Sequence, residues 1–265
     1  MKSLILSRDE ICQVKEYFSK HPEKEYHLCA DSQTEVLKSS QGVLIAIASK
    51  KHHLNAVLGE GTNTTVKRAM DLDYPDQQDE LVVKVFHDPL PAEQIILEEA
   101  KRLSLVGLQY RTLDRPILGR YIVMKRVSGI SLRDYLICSI NSSNIASAKL
   151  AIAQSLKALQ ELHGQGQVHG DAHTNNIYFN DQEKSAHLLD MGEATSISPN
   201  IDTMNSMFEI YRTLNNILVS SSSRNNNDLL LWMKDIMVGF GETLTNPQER
   251  NFFLMKLRQQ SINLR

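Results

Sequence analysis

The chain has 265 residues, of which 42% are hydrophobic and 23% charged, with a formal net charge of −2. That length can bury a sizeable core in one domain or two intimate lobes, and the composition is that of an ordinary soluble globular protein. No basic stripe with interleaved aromatics is visible, so nucleic acid is not an expected partner. Cys12, Cys29 and Cys138 are few and widely spaced, which suggests neither a disulfide framework nor a Cys-pair metal site and fits a reducing compartment.

The apolar run Leu4–Leu6 is too short for a signal peptide or a membrane span, which predicts a cytosolic fold. Export through a dedicated secretion machine is left open. Apolar spacing at Ile11, Val14, Tyr17 and Phe18 predicts a helix over 8–19, capped by Ser7 or Asp9. The run 42–48 reads as a buried strand. Residues 54–58 and 65–70 read as strands flanking a turn at Gly59 and Gly61. A polar hairpin tip over 71–79 leads to a third strand, 81–86, whose β-branched run suggests burial on both sides. Pro89 and Pro91 break the chain. A helix over 92–105 follows, stopped by Gly107.

Residues 121–127 form another apolar strand, ended by Ser128-Gly129. Helices are expected over 131–138 and 142–163, the second stopped by Gly164-Gln165-Gly166. Short strands at 177–179 and 186–189 flank the turn Asn180-Asp181. Helices over 203–219, 229–240 and 247–258 complete the chain, with a polar low-complexity linker at 220–227 that reads as mobile. No internal repeat is present. A strand-rich half precedes a helix-rich half, dividing near residues 124–131.

Four segments carry chemistry. Gly59-Glu60-Gly61-Thr62 would let backbone approach phosphate oxygens without a Cβ in the way, and Val66 sits where an apolar side chain would cover an adenine. A hairpin with two turn glycines is the plain alternative. The lysine of a Gly-x-x-x-x-Gly-Lys loop is missing, so a P-loop is not supported. Lys84, flanked by Val83 and Val85, needs a partner if it is buried. Glu99 on the following helix is the candidate and Glu98 its competitor. Asn176 and Asp190 supply oxygens suited to Mg²⁺, which leaves Asp171 to orient or deprotonate an acceptor hydroxyl. A capped turn is the plain reading of His169-Gly170-Asp171 taken alone. His163, His169, His173 and His187 have no zinc-type spacing. Taken in order, the segments provide a phosphate-covering loop, a phosphate-pairing lysine, a catalytic carboxylate and two metal ligands.

These residues resemble the protein-kinase superfamily from about Leu54 to Leu218. The resemblance implies an α+β bilobal fold, with a small antiparallel β-sheet lobe carrying one helix and a reduced, mainly helical large lobe. It divides the chain into an N-terminal extension (1–50), a small lobe (51–124) and a truncated large lobe (125–265). Tyr121–Leu136 resembles a kinase hinge running into the first large-lobe helix. By that likeness Met124 would be the gatekeeper, the backbone of Lys125 and Val127 would bind the adenine edge, and Ser131 would lie near the ribose. Leu97–Leu103 resembles the regulatory helix of the small lobe, which favours Glu99 over Glu98.

Several positions depart from the family pattern. Thr64 stands in place of the third loop glycine, Val82 in place of an alanine, and Met191 in place of a phenylalanine. Gly170 replaces the arginine that reads activation-loop phosphorylation. His173 stands where protein kinases carry lysine, and histidine there resembles small-molecule kinases of the His-Gly-Asp type.

The stretch after Asp190 is short, without an Ala-Pro-Glu motif, and this compactness resembles the small kinase effectors that pathogenic bacteria inject into host cells. The expectation is an ATP- and Mg²⁺-dependent Ser/Thr protein kinase acting on a host protein, with a host activator left open. A small-molecule or lipid-headgroup kinase and a pseudokinase-like binding module are the alternatives. Catalytic roles fall to Asp171, Lys84, Glu99 and His173.

Overall fold

The computed structural model describes residues 5–29, 34–39, 42–48, 57–60, 64–75, 81–87, 93–108, 121–191, 197–220 and 227–259. They fall into two units, Met1–Val127 and Ser128–Arg265. The first is an antiparallel sheet with helices and the second is mainly helical, the α+β organisation that the sequence implies.

In the first unit, α1 (Arg8–Lys20) opens with a capping box. Ser7 Oγ accepts from the Glu10 N–H, and the Glu10 carboxylate accepts from the Ser7 N–H. Strands β1 (Tyr26–Leu28), β2 (Glu35–Lys38), β3 (Leu44–Ile47), β5 (Thr64–Asp71), β6 (Leu81–Phe86) and β7 (Tyr121–Lys125) pair in that order, and β4 (Val57–Glu60) pairs with β5. The first fifty residues, read from sequence as an extension, thus contribute three strands to the sheet.

Period-two alternation divides the sheet into two faces. Leu37, Ile45, Ile47, Ala69, Leu81, Val83, Val85, Tyr121 and Val123 form one core. On the opposite face, Val36, Leu44, Ala46, Met70 and Leu72 pack with Ile11, Val14 and Phe18 of α1. Each Val, Leu, Ile, Phe or Met among them contributes about 1.5–3 kcal/mol when fully buried.

Helix α2 (Glu93–Leu105) ends in a Schellman motif around Gly107. The Leu108 N–H bonds Leu103 O, and the Gly107 N–H bonds Ser104 O. Gly107 has φ +73°, so the stop predicted from sequence has its conformational cause. Leu103 and Leu108 are both buried and supply the apolar contact such a motif carries. Positions 54–56, 61–63, 76–80 and 88–92 lie outside the described residues. So do parts of the predicted glycine turn and hairpin tip, together with Pro89 and Pro91.

In the second unit, β8 (Ile130–Ser131) leads into α3 (Leu132–Asn141), which is capped by Ser131 and longer than the predicted helix. Helix α4 (Ile145–Gly164) is capped by Asn144 and buries Ala148, Ala151, Ile152, Ser155, Leu156, Leu159 and Leu162. That stripe follows the 3.6-residue period. Strands β9 (Ile177–Asn180) and β10 (Ser185–Leu188) form a hairpin, and β8 pairs with the outer side of β9. Gly129 is obligatory just before β8, since a Cβ there would lie 2.3 Å from Phe179 O. Helices α5 (Pro199–Ser220), α6 (Asn227–Thr243) and α7 (Pro247–Gln259) complete the unit. Helix α5 starts four residues earlier than its apolar spacing predicts, with Ser198 Oγ accepting from the Ile201 N–H. The low-complexity linker falls mostly outside the described residues. Among the described residues no helix is long and apolar enough to cross a membrane.

Candidate active site

The sequence-predicted residues fall into two sets, one in each unit. In the first unit the register places Gly59 opposite Val66, Val66 opposite Lys84, Lys84 opposite Ile122, and Val82 opposite Met124. Val66, Val82, Lys84 and Met124 therefore share one face of the sheet. All six residues of β6 are buried, Lys84 included. Its ammonium is held by Glu99 Oε1 at 2.6 Å, and the Phe86 ring centroid lies 5.5 Å from Nζ. Glu98, the competitor, accepts instead from Gln94 and Arg102 at the surface.

The backbone N–H of Lys125 is taken by Leu108 O at 2.8 Å, so any bond from Lys125 backbone to an adenine must use its carbonyl. Glu60 is exposed, Val127 is half-buried, and Gly61 and Thr62 lie outside the described residues. Ser131, in the second unit, has its hydroxyl committed to the α3 cap. It donates to Asp134 Oδ2 at 2.7 Å and accepts from the Asp134 N–H.

The second set is built on the loop between α4 and β9. The His169 ring is buried, and Nδ1 accepts from the Asp171 N–H at 3.3 Å. Nε2 therefore carries the proton and donates to Leu189 O at 2.8 Å. Burial holds this imidazole below the usual histidine range, against the opposing effects of Leu189 O and nearby carboxylates.

Asn176 Nδ2 donates to Asp171 O (3.1 Å) and Oδ2 (3.3 Å), which leaves Asn176 Oδ1 as the atom available to a cation. His173 Nε2 stands 3.5 Å from Asp171 Oδ2, while its Nδ1 accepts from the Asn175 N–H. The Leu189 N–H donates to Asn176 O at 2.8 Å. Asp190, next in the chain, is exposed and sits at φ +59°, a left-handed conformation uncommon outside glycine. Gly192 lies outside the described residues.

Sequence reasoning missed Asp202. This residue is 1% exposed, at the start of α5. Its Oδ2 accepts from the His169 N–H at 2.7 Å and lies 2.9 Å from His163 Nε2, and its Oδ1 accepts from the Gly170 N–H at 3.0 Å. Burial alone would raise this carboxyl. The bonds from His163, His169 and Gly170 outweigh burial and hold it below the usual carboxylate range. In the sequence Asp202 reads as an ordinary helix-start acid, a favourable position in the N-terminal field. Thr174 adds two further ties, its carbonyl accepting from the Arg133 N–H and its hydroxyl meeting that of Thr213 at 3.2 Å.

The histidines act locally, with His163 on Asp202, His169 on Leu189, His173 beside Asp171 and His187 near Ser185. Among the described residues no group of three or more His, Cys, Asp or Glu forms a metal cage. An amide oxygen and one carboxylate, anchored through Leu189, fit Mg²⁺, which usually takes one or two carboxylates and completes its shell with water and phosphate oxygens.

The family model for the ABC1 atypical kinase-like domain matches residues 118–217. Among solved structures, the kinase domain of Mycobacterium tuberculosis PknI is similar over 82% of this chain and 95% of its own. The identity is 15% and the TM-score 0.48. The likeness to a kinase-like domain thus covers residues 118–217, and the two units, one strand-rich and one mainly helical, have an α+β organisation.

Proposed function

We propose that the protein is an ATP- and Mg²⁺-dependent phosphotransferase, a Ser/Thr protein kinase that acts as a secreted bacterial effector on a host protein. The observation that carries this reading is the buried pair of Lys84 and Glu99. An apolar pair of similar volume is often no less stable than a buried ion pair. An ammonium kept in an otherwise apolar strand is therefore best explained by what it does for a ligand, which is to meet the α- and β-phosphates. Gly59 points the same way. Among the described residues a Cβ added there would meet Val66 Cβ, at 4.0 Å, and nothing nearer.

Bound Mg·ATP would supply the phosphoryl group and the positive charge that neutralises it. Within the chain, Glu99 fixes Lys84, while Asn176 Oδ1 and Asp190 offer the metal oxygens. Asp171 would accept the hydrogen bond of the acceptor hydroxyl and take its proton as that oxygen bonds to the γ-phosphorus and the bond from phosphorus to the leaving ADP oxygen breaks. Most of the rate enhancement would come from positioning and fixed charge. The short stretch between Asp190 and α5 supports a compact effector kinase without a long activation segment. His173 beside Asp171 supports a second reading, a small-molecule kinase.

The test is transfer of labelled γ-phosphate from Mg·ATP in a eukaryotic lysate, comparing wild type with Asp190→Ala and separating protein from small-molecule fractions. Aspartate-dependent label on protein is expected. Label confined to small molecules would move the reading to the second one. No label in either fraction from a folded protein would favour a binding module or a missing activator.

A further inference from the structure

A cavity of about 1000 Å³ lies within the second unit, bordered by α3, the Asp171 loop, α5 and α7. Its lining includes Asp171 and His173 and runs along α5 from Asn205 to Ser220. Fifteen helical steps span about 22 Å, so this is an elongated groove that matches an extended peptide of roughly six or seven residues.

Arg133, Arg212 and Lys256 line it, each from a different helix, and Asp171 and Glu209 are the carboxylates in its lining. Arg212 is paired with Glu209 at 2.7 Å. Lys256 rests over the Phe252 ring, with Nζ 5.5 Å from the centroid. Among the described residues neither Arg133 nor Lys256 has a carboxylate partner. Cations lining a groove without partners, beside the carboxylate assigned to the acceptor hydroxyl, are complementary to anionic groups on whatever carries that hydroxyl.

We infer that this groove is the acceptor site and that it takes an extended peptide whose serine or threonine is flanked by acidic residues, with Arg133, Arg212 and Lys256 setting that preference. The inference rests on the protein-kinase reading above. The length of the groove favours an extended chain over a compact small molecule. Asn141, Asn175 and Asn216 line it too and offer amide donors and acceptors to peptide backbone.

The test reads binding without transfer. Fluorescence anisotropy of the full chain is measured with three labelled heptapeptides, each with one central serine, flanked by Asp/Glu, by Lys/Arg or by neutral residues. The acidic peptide is expected to bind about tenfold tighter than the neutral one, since each exposed ion pair contributes a few-fold. That preference should shrink at high salt. Arg133→Glu with Lys256→Glu should abolish it, and the milder Arg133→Gln with Lys256→Gln should halve it on a logarithmic scale. Lys157→Glu on α4 should leave it unchanged.

Equal binding of the three peptides, preference for the basic one, or no peptide binding at all would overturn the inference. Phosphoryl transfer is followed separately. A protein that transfers phosphate yet ignores peptide charge overturns this proposal alone. One that selects acidic peptides yet transfers nothing overturns the phosphotransferase reading alone.

Discussion

Asp202 holds the backbone of His169, with Oδ2 accepting the His169 N–H at 2.7 Å across 33 residues of chain. The same carboxylate takes the Gly170 N–H and meets His163, so one buried side chain fixes the entrance to the Asp171 loop. The entrance of the loop is thus held from α5, in addition to the bonds the loop makes within itself and with Leu189.

Asp202→Ala removes the acceptor for three donors around a buried carboxylate. Its expected cost is about 3 kcal/mol or more, because buried donors lose charge-assisted bonds that nothing replaces. Urea unfolding should show a lower midpoint. Phosphoryl transfer should fall further than the unfolded fraction explains, since Asp171 loses its placement. A variant with wild-type transfer at normal stability would show that the loop holds itself.

Lys84 and Glu99 should behave as a unit. Either single alanine variant breaks the bond between two buried charges, at a cost of about 3–5 kcal/mol. The double variant should be less destabilised than the sum of the two, with a coupling of about 1–3 kcal/mol. Denaturation midpoints of all four proteins give that coupling. Strict additivity would contradict a direct buried pair. Transfer should be absent from every variant, the refolded double included.

Stability should also fall on mild acidification, and His169 should account for part of it. The folded ring is neutral and held below its ordinary range by burial, whereas the unfolded chain takes a proton near pH 6.5. Below that pH the unfolded state therefore binds more protons, and stability declines as pH drops towards the folded value. The slope per proton cannot exceed about 1.4 kcal/mol per pH unit. His27 is lowered by burial as well and adds to the effect. Asp202, held below its ordinary value, keeps its full contribution through this window and loses it only in stronger acid. Unfolding midpoints between about pH 7.5 and 5.5 should slope less in His169→Gln than in wild type.

What was legible in the sequence was mostly local. The Ser7 cap, the Gly107 stop and the buried run of β6 each follow from a few adjacent residues. The choice of Glu99 over Glu98 came from a resemblance, and the structure pairs Lys84 with Glu99. What was not legible depends on long-range placement. Asp202 looks like any first-turn acid until α5 is set beside the loop. Arg133, Arg212 and Lys256 are unremarkable charges until three helices border one groove. The strands of the first fifty residues are short, and only pairing across β3 and β5 makes them part of the sheet.

Leu189 joins the two loops entirely through its main chain, its carbonyl accepting from His169 and its N–H donating to Asn176. A linkage of that kind is indifferent to which side chain occupies the position. Leucine could drift to valine, methionine or isoleucine over evolutionary time without loosening it. Only proline, which lacks the N–H, would cut one of the two threads. Variation at residue 189 would therefore be a poor guide to its importance.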